Sequence, residues 1–474
     1  MREKRLIKDI FIYGLGTFGA SFVSFLLLPF YTKVFSRAEY GFIDLVVTGS
    51  ILLASVISLR LTDGAYRFVI EETRLQARTA TISSVVNVIL INVFIFVILC
   101  WLGAPYLRGI IPYSSLFLVV FYIALKVIDA CFLQIVRALG KNVLYSKSGI
   151  ILTSSMFVFN IIFIGYFGQG VSGFFIAAIL AHAISLLYKV KKADLIKFYN
   201  PMDFNMAVIT PILKYSLPLL PATISWWFIR ISGRYILSIY KGLDEVGIYA
   251  VADKIPSVMY IGSLIFYMAW QDSALDSASH PDKETFFSKI FNKLVLTGGS
   301  IVIVCLVFLK PFFHIMVDPR YLSAHIYLPY LLLAILILTF AWFYEIIFQI
   351  HKNTMVIFYS ALIAAAINVI LNILLVPTYG IAATTFSVLV ASISALFLRV
   401  ILSKDKVKIA VDKIMFLKLG IVFIVSILIF QLGLWLYIFS ASLILAYISY
   451  INRGSISLIV GILRGEKGSS LGKA

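Results

Sequence analysis

Five cationic residues stand in stretches that are otherwise apolar enough to lie in a membrane: Arg60, Lys126, Arg230, Arg234 and Lys254. An unpaired charge at mid-bilayer costs about 2.5–3.5 kcal/mol even on lenient scales, so such residues usually face a bundle interior or water. Arg230 and Arg234 are four residues apart, with Trp226 and Trp227 one turn earlier, so all four share a helix face. Arg binds phosphate through two donors and Trp offers a flat apolar surface. The pattern predicts a binding site for a sugar phosphate.

Three carboxylates lie in the same apolar stretches and are our candidate ion carriers: Asp129, Asp253 and Glu345. Lys126 precedes Asp129 by three residues, so a purely structural ion pair is the alternative for these two. Five cations against three carboxylates leave the interior net positive. A positive interior favours an anionic ligand.

Arg60, Asp63 and Arg67 fall at positions i, i+3 and i+7 and share one face near a predicted cytoplasmic mouth. We expect them to gate this mouth, with simple snorkelling to the lipid headgroups as the alternative. Arg234 has a comparable alternative in the outer headgroups. His182 is the single histidine of its span, where a hydrogen-bonded core residue is the simpler interpretation.

The elements that position these residues are membrane spans. The chain has 474 residues, of which 61% are hydrophobic and only 13% charged, with a mean hydropathy of +1.01, which excludes a water-soluble protein. Runs of about 20 apolar residues predict an all-α polytopic membrane protein with about 14 spans, and the last two could instead form one long or re-entrant feature. The spans are 10–32, 41–62, 82–103, 115–136, 148–167, 171–188, 214–239, 247–271, 291–309, 327–350, 355–376, 380–402, 414–431 and 433–451.

The distribution of cations predicts the orientation. Lys and Arg number 40 and Asp and Glu 22, a net charge of +18. With a cytoplasmic N-terminus, about 29 cations fall in inside segments and about six outside, as the positive-inside rule requires. We therefore expect a multi-pass protein of the bacterial inner membrane with both termini in the cytoplasm. Most of the positive charge is thus a topological signal, and no nucleic-acid partner is expected.

An internal repeat predicts two lobes. Ser36–Ile43 matches Gly242–Tyr249, and the motif around Lys141, Asn142 and Asn160 matches the one around Lys352, Asn353 and Asn372. We divide the chain into an N-lobe of six spans over residues 1–200, a C-lobe of six spans over 201–405, and two added spans with a tail over 406–474. The first span of each lobe is interrupted, by Gly14, Gly16 and Gly19 in one and by Pro218 and Pro221 in the other. Breaks at equivalent places are typical of a transport pathway.

Motifs in both halves carry a resemblance to a known group. They are Ile12–Gly19 (IYGLGTFG), Arg37–Gly41 (RAEYG), Ala65–Phe68 (AYRF), Ala138–Asn142 (ALGKN) and Asp244–Tyr249 (DEVGIY). In this order they resemble the polysaccharide or O-antigen (Wzx-type) flippases of the MOP superfamily, which also holds the MATE exporters and the lipid II flippases. The resemblance covers nearly the whole chain, although each motif is short.

The resemblance implies a flippase that moves an undecaprenyl-diphosphate-linked oligosaccharide, an O-antigen or capsule repeat unit, from the inner to the outer leaflet by alternating access. Its partners would be this lipid-linked glycan, membrane lipid and other glycan-assembly membrane proteins. We expect no enzyme activity, no catalytic residue, no metal and no cofactor, with an H⁺ or Na⁺ gradient as the driving force. The alternatives are a MATE-like exporter of organic ions and a membrane glycan polymerase or ligase; the latter would need a larger outside loop.

Overall fold

A computed structural model describes residues 25–72, 74–107, 113–278, 280–351, 353–430, 444 and 446–448. Every regular element within these residues is helical. Ten of the described helices are long and apolar enough to span a membrane, or eleven if one bent pair is a single span. The polytopic all-α fold is therefore confirmed. The glycines at 14, 16 and 19, most of the first predicted span and nearly all of the fourteenth lie outside the described residues.

The helices of the first half follow the predicted spans 2 to 6. They are α1 (Leu28–Val34), α2 (Arg37–Ile57), α3 (Leu61–Glu71), α4 (Leu75–Leu102), α5 (Ala104–Leu107), α6 (Tyr113–Ala138), α7 (Asn142–Asn160, continued as a π-helix over Ile161–Tyr166) and α8 (Gly170–Lys192).

The helices of the second half follow spans 7 to 13. They are α9 (Met206–Ser216), α10 (Leu220–Arg230), α11 (Ser232–Lys241), α12 (Leu243–Ala252), α13 (Lys254–Ser277), α14 (Lys283–Met316), α15 (Leu328–Ile350), α16 (Thr354–Tyr379), α17 (Ile381–Ser403) and α18 (Lys413–Phe430). Helix α18, the thirteenth predicted span, packs against α14.

Three predicted spans are broken helices. Span 2 divides into α2 and α3 at Leu59 and Arg60, which both have positive φ angles, of 50° and 56°. Span 7 has three pieces: a 3₁₀ turn that contains Pro218 joins α9 to α10, and Ile231 separates α10 from α11. Span 8 bends by 49° between α12 and α13. Each break exposes backbone polar groups, which membrane proteins tolerate where the chain is buried or lines a cavity.

Helices α2 and α12, which begin with the two matched repeat segments, cross in close contact. A Cβ atom at Gly41 would lie 2.1 Å from the carbonyl oxygen of Leu243, and one at Gly247 would lie 2.0 Å from that of Arg37. The contact is therefore reciprocal, and only glycine allows the two backbones this approach. It joins the halves at the end of the bundle that the cation distribution predicts to be outside.

The segment between α14 and α15 reinforces this closed end. The Arg320 guanidinium donates to the carbonyl oxygens of Thr32 and Lys33, at 3.0 and 2.9 Å. The Arg37 Nε atom donates to the carbonyl of Arg320 at 2.6 Å, and the Tyr321 hydroxyl donates to the carbonyl of Phe35 at 3.0 Å. We call residues 318–321 the outer clamp, because they tie the second half to the α1–α2 corner of the first.

Candidate functional site

A cavity of about 780 Å³ lies between the two halves of the chain. One wall comes from α2 and from Arg60, which directly precedes α3, and the other comes from α10 to α13 and α15. Every charged residue and tryptophan of the lining is named here: Asp44, Arg60, Trp226, Trp227, Arg230, Arg234, Asp253, Lys254, Trp342 and Glu345. Four of the five predicted cations and both predicted tryptophans therefore line one cavity.

Arg234 is the centre of an ion-pair cluster that joins the two halves. Its Nε atom lies 2.9 Å from Oδ2 of Asp44 on α2, and its Nη2 donates to Oδ2 of Asp253 at 2.6 Å. Arg234 and Asp253 are both buried. In a low-dielectric interior, a buried charge is tolerated when it is paired and hydrogen-bonded, as here. The arginine thus holds α2 to the bend between α12 and α13.

Arg230 contacts the same carboxylate more loosely. Its Nη2 lies 3.4 Å from Oδ2 of Asp253, and its guanidinium stacks 4.4 Å from the ring centre of Tyr260. The break at Ile231 separates Arg230 from Arg234, yet both arginines converge on Asp253, as their predicted common face implied. Asn368 on α16 supports the break, since its amide donates to the carbonyl of Ile229 at 3.1 Å.

Lys254 is the cavity cation with the weakest pairing. Its ammonium lies 5.8 Å from the ring centre of Tyr40, and no carboxylate in the described part of the chain is within ion-pair distance of it. Lys254 also lines a second cavity of about 230 Å³, which reaches into the first half. An ammonium without a carboxylate partner is the natural place for an incoming anion.

Several polar side chains stand in the largely apolar lining of the second cavity. Its lining includes Tyr31, Tyr122 and His182, and it shares Asp44 with the first cavity. Tyr40, which also lines it, is buried and its hydroxyl has no hydrogen-bond partner among the described residues. Unsatisfied hydroxyls in roomy polar cavities are typically bound to water.

The alternative of an ion pair between Lys126 and Asp129 does not hold. The Lys126 ammonium donates to the Ser50 hydroxyl on α2 at 2.6 Å, whereas Asp129 is paired with Lys189, and its Oδ2 lies 3.1 Å from His182 Nδ1. Neither Lys126 nor Asp129 lines the 780 Å³ cavity. The i, i+3 spacing does not produce a pair here because Lys189, on the neighbouring helix α8, is the ion-pair partner of this carboxylate.

Glu345, the third candidate carrier, is held by a network at the edge of the cavity. Its Oε2 lies 2.9 Å from Nη1 of Arg399, and its Oε1 accepts from the Tyr267 hydroxyl at 3.0 Å. Gln349 donates to the same hydroxyl at 2.8 Å and receives a hydrogen bond from Gln271 at 2.7 Å. The carboxylate therefore has an arginine and a hydroxyl as fixed partners.

The predicted cytoplasmic mouth is only partly assembled. Arg60 lines the cavity and lies 2.9 Å from Oδ2 of Asp63. Arg67 instead pairs with Glu71 at 3.4 Å and stacks 4.8 Å from the Tyr215 ring centre. Asp63 and Arg67 are not part of the cavity lining.

Sequence reasoning missed four charged or aromatic partners. Asp44 is a lone carboxylate in span 2, a signal that was available, since an intramembrane acid is rarely without function. Lys189 and Arg399 stand at helix ends beside other cations and resemble topological charges. Trp342 lies in a span rich in apolar residues, where nothing marks it as cavity-lining.

Comparisons with known proteins agree with this architecture. The family described as polysaccharide biosynthesis protein matches residues 6–270, whereas no curated protein matches the chain. The lipid II flippase MurJ, in an inward closed conformation, has a similar fold, with a TM-score of 0.72 and 16% identity over 94% of this chain and 100% of that chain.

Two transporters of the MOP superfamily are similar in fold as well. The MATE transporter VcmN of Vibrio cholerae has a TM-score of 0.61 and 17% identity, with 85% of this chain and 97% of that chain covered. A MOP superfamily transporter from Pyrococcus furiosus has a TM-score of 0.60 and 14% identity, with coverages of 88% and 96%. Because the family match spans more than half of its residues, this chain belongs to the polysaccharide biosynthesis protein family.

Proposed function

We propose that this protein is a flippase that moves an undecaprenyl-diphosphate-linked oligosaccharide, such as an O-antigen or capsule repeat unit, from the inner to the outer leaflet of the bacterial inner membrane. The family match and the flippase and transporter folds of its structural relatives support this proposal. The observation that carries it is the cavity between the halves, whose wall contains a cluster of cations. One of them, the Lys254 ammonium, has no carboxylate within ion-pair distance among the residues that the structure describes.

The charges of this cluster suit a diphosphate. Arg230, Arg234 and Lys254 face only two carboxylates, Asp44 and Asp253, so one positive charge is left over. A diphosphate that binds Lys254 and Arg230 would restore the balance. Arg230 is available because Arg234 already satisfies Asp253 at a shorter distance. Arg60, on the opposite wall, gives the cavity a further cation.

Binding can then drive a change of conformation. The pair between Asp44 and Arg234 ties the first half to the second in the middle of the bundle. Phosphate oxygens compete with Asp44 for the Arg234 guanidinium, so a bound diphosphate weakens this tie. Release of the tie allows the halves to move about the closed end, which is the alternating access expected of paired lobes. The prenyl chain stays in lipid, and no bond is made or broken.

The driving force in this proposal is an H⁺ or Na⁺ gradient. Among the three candidate carriers, Asp129 is best placed for a proton, because His182 contacts its carboxylate and lines the second cavity. Asp253 and Glu345 are paired with arginines, whereas the partners of Asp129 are Lys189 and His182.

A MATE-like exporter of organic cations would need free carboxylates in the cavity. Asp44, Asp253 and Glu345 each lie within 3.0 Å of an arginine nitrogen. These three carboxylates therefore already have cationic partners and would bind a cationic ligand poorly. Drug sensitivity of a deletion strain with intact surface glycan would favour the exporter. Accumulation of exposed, unpolymerised repeat units would favour a polymerase or ligase.

The test is complementation of a deletion strain. We expect Arg230→Ala to abolish surface glycan at a normal protein level, with prenyl-linked repeat units accumulating inside the cell. Lys241→Ala, which removes an exposed cation that does not line the cavity, is the matched control and should complement fully. Normal export by Arg230→Ala would refute the proposed role of the cluster.

A further inference from the structure

Four aromatic rings form a continuous surface on the second-half wall of the cavity. Trp226 comes from α10, Tyr260 and Tyr267 from α13, and Trp342 from α15, and all four line the cavity. The Trp342 ring centre lies 5.3 Å from that of Trp226, 5.4 Å from that of Tyr260 and 5.7 Å from that of Tyr267. We call these four residues the aromatic wall.

The aromatic wall begins where the proposed diphosphate site ends. The Arg230 guanidinium stacks on the Tyr260 ring at one edge, while the Tyr267 hydroxyl joins the Glu345 and Gln349 network at the other. Tyr260 and Tyr267 are seven residues apart on one helix, which corresponds to about 10 Å along its axis. A ligand anchored at Arg230 can therefore extend along the wall toward this network.

The opposite wall is apolar and its edges carry hydroxyls. Val47, Ile51 and Leu52 of α2 line the side that faces the rings. The Thr48 and Ser257 hydroxyls also line the cavity, and each donates its own proton within the protein, to the carbonyl of Asp44 and to Asp253. Their oxygen lone pairs remain able to accept hydrogen bonds from a ligand.

This arrangement matches a pyranose ring. Such a ring has C–H groups on its faces and hydroxyls around its rim, so aromatic and aliphatic walls contact the faces while Thr48 and Ser257 accept from the rim. We propose that the aromatic wall is the subsite for the first sugars of the glycan, with Trp342 as its central specificity-determining residue. The inference rests on the proposed function, because the diphosphate at Arg230 places the sugars.

The test compares two kinds of probe on the purified full-length protein in lipid nanodiscs. One is a short-chain prenyl diphosphate without sugar, and the others are the same lipid carrying glucose, galactose or N-acetylglucosamine, all measured by titration calorimetry. We expect at least one sugar to raise the affinity, and Trp342→Leu to reduce the ratio of sugar-bearing to sugar-free affinity by about tenfold. Trp342→Phe, which keeps an aromatic ring, should reduce this ratio less.

Arg230→Gln is the comparison that separates the two proposals. It should weaken all probes alike and leave the affinity ratio unchanged. If no sugar raises the affinity, or if Trp342→Leu and Trp342→Phe both keep the wild-type ratio, the subsite assignment is wrong although the diphosphate site stands. If the sugar-free probe does not bind the wild-type protein, the proposed function itself fails.

Discussion

Arg234 has the most demanding environment of any residue in the cavity. It is buried, and it neutralises Asp44 from the first half and Asp253 from the second. Removal of one partner from a buried ion pair leaves an uncompensated charge, which typically costs about 3–5 kcal/mol. In the proposed mechanism, Arg230 and Lys254 bind the diphosphate, and Arg234 links the two halves until phosphate oxygens compete with Asp44 for its guanidinium.

We therefore predict that Arg234→Met lowers the thermal stability of the purified protein and that adding Asp253→Asn recovers part of the loss. The recovery is expected because the second change neutralises one of the two carboxylates that lose the Arg234 guanidinium. Thermal unfolding followed by tryptophan fluorescence measures both effects. A double variant less stable than Arg234→Met would contradict this assignment.

Sequence spacing predicted part of this cluster. Arg230, Arg234 and Trp226 were identified together because i and i+4 positions share a helix face, and the structure places all three in one cavity. Asp44 could not be assigned to Arg234 in the same way, since about 190 positions separate them along the chain. Pairing across helices depends on packing, which spacing along a single helix does not reveal.

At the level of helices, the crossing of α2 and α12 closes one end of the cavity. Gly41 and Gly247 permit a backbone approach that any Cβ atom would prevent. Gly262 on α13 is the matched control, because a Cβ atom there would meet no neighbour within 4 Å.

We predict that Gly41→Ala opens this end of the cavity and that Gly262→Ala does not. Thr48→Cys, placed in a background without Cys100, Cys131 and Cys305, reports the opening through its reaction with a membrane-impermeant maleimide added outside. Labelling should rise severalfold in Gly41→Ala. Equal labelling of the two alanine variants would show that the crossing is not the closure.

The outer clamp should contribute to the same closure. Arg320→Ala removes the donors to the carbonyls of Thr32 and Lys33, so we predict that it also increases labelling of Thr48→Cys from outside. Lys241→Ala, which changes an exposed cation at the same end of the bundle, should leave labelling at the wild-type level. An unchanged labelling rate in Arg320→Ala would show that the outer clamp does not contribute to this closure.

The outer clamp should weaken only at acidic pH and should not change between about pH 5 and 8. The hydrogen bond from Arg320 lowers the pKa of Asp318, so the stabilisation from this pair is present above the ordinary carboxyl pKa of about 3.9 and is lost as pH falls through the lowered value. Labelling of Thr48→Cys, corrected for the reactivity of the maleimide, should therefore be constant between about pH 5 and 8. A steep rise in labelling within that range would show that a titratable group other than Asp318 controls access to Thr48→Cys from outside.

The helix breaks were predictable only where the sequence marks them. Pro218 and Pro221 indicated an interruption in span 7, and the structure has a 3₁₀ turn there. The break at Ile231 and the left-handed residues Leu59 and Arg60 carry no glycine or proline signal. Tertiary contacts impose them, such as the bond from Asn368 to the carbonyl of Ile229.

The whole molecule combines the close crossing of α2 and α12 with a cavity between the halves, whose lining holds four cationic residues and three carboxylates. Hydropathy was sufficient to predict a polytopic helical bundle, because lipid restricts spanning segments to so few structures. The predicted set of interior charges was incomplete: Asp44 was overlooked, and Arg234 lies within ion-pair distance of two carboxylates. Among the described residues, no carboxylate lies within that distance of Lys254. A count of cations along the sequence does not reveal which of them have partners.

The most direct test is flipping of a fluorescent prenyl-diphosphate-linked oligosaccharide in vesicles reconstituted with the purified protein. A membrane-impermeant quencher reports the fraction of probe in the outer leaflet. We predict that the wild-type protein and Lys241→Gln make the whole probe pool accessible, whereas the Arg230→Gln, Lys254→Gln double variant moves no more probe than vesicles without protein. Flipping by this double variant at the wild-type rate would contradict the proposed role of the cation cluster. Absence of flipping by the wild-type protein under an imposed H⁺ or Na⁺ gradient would contradict the proposed function.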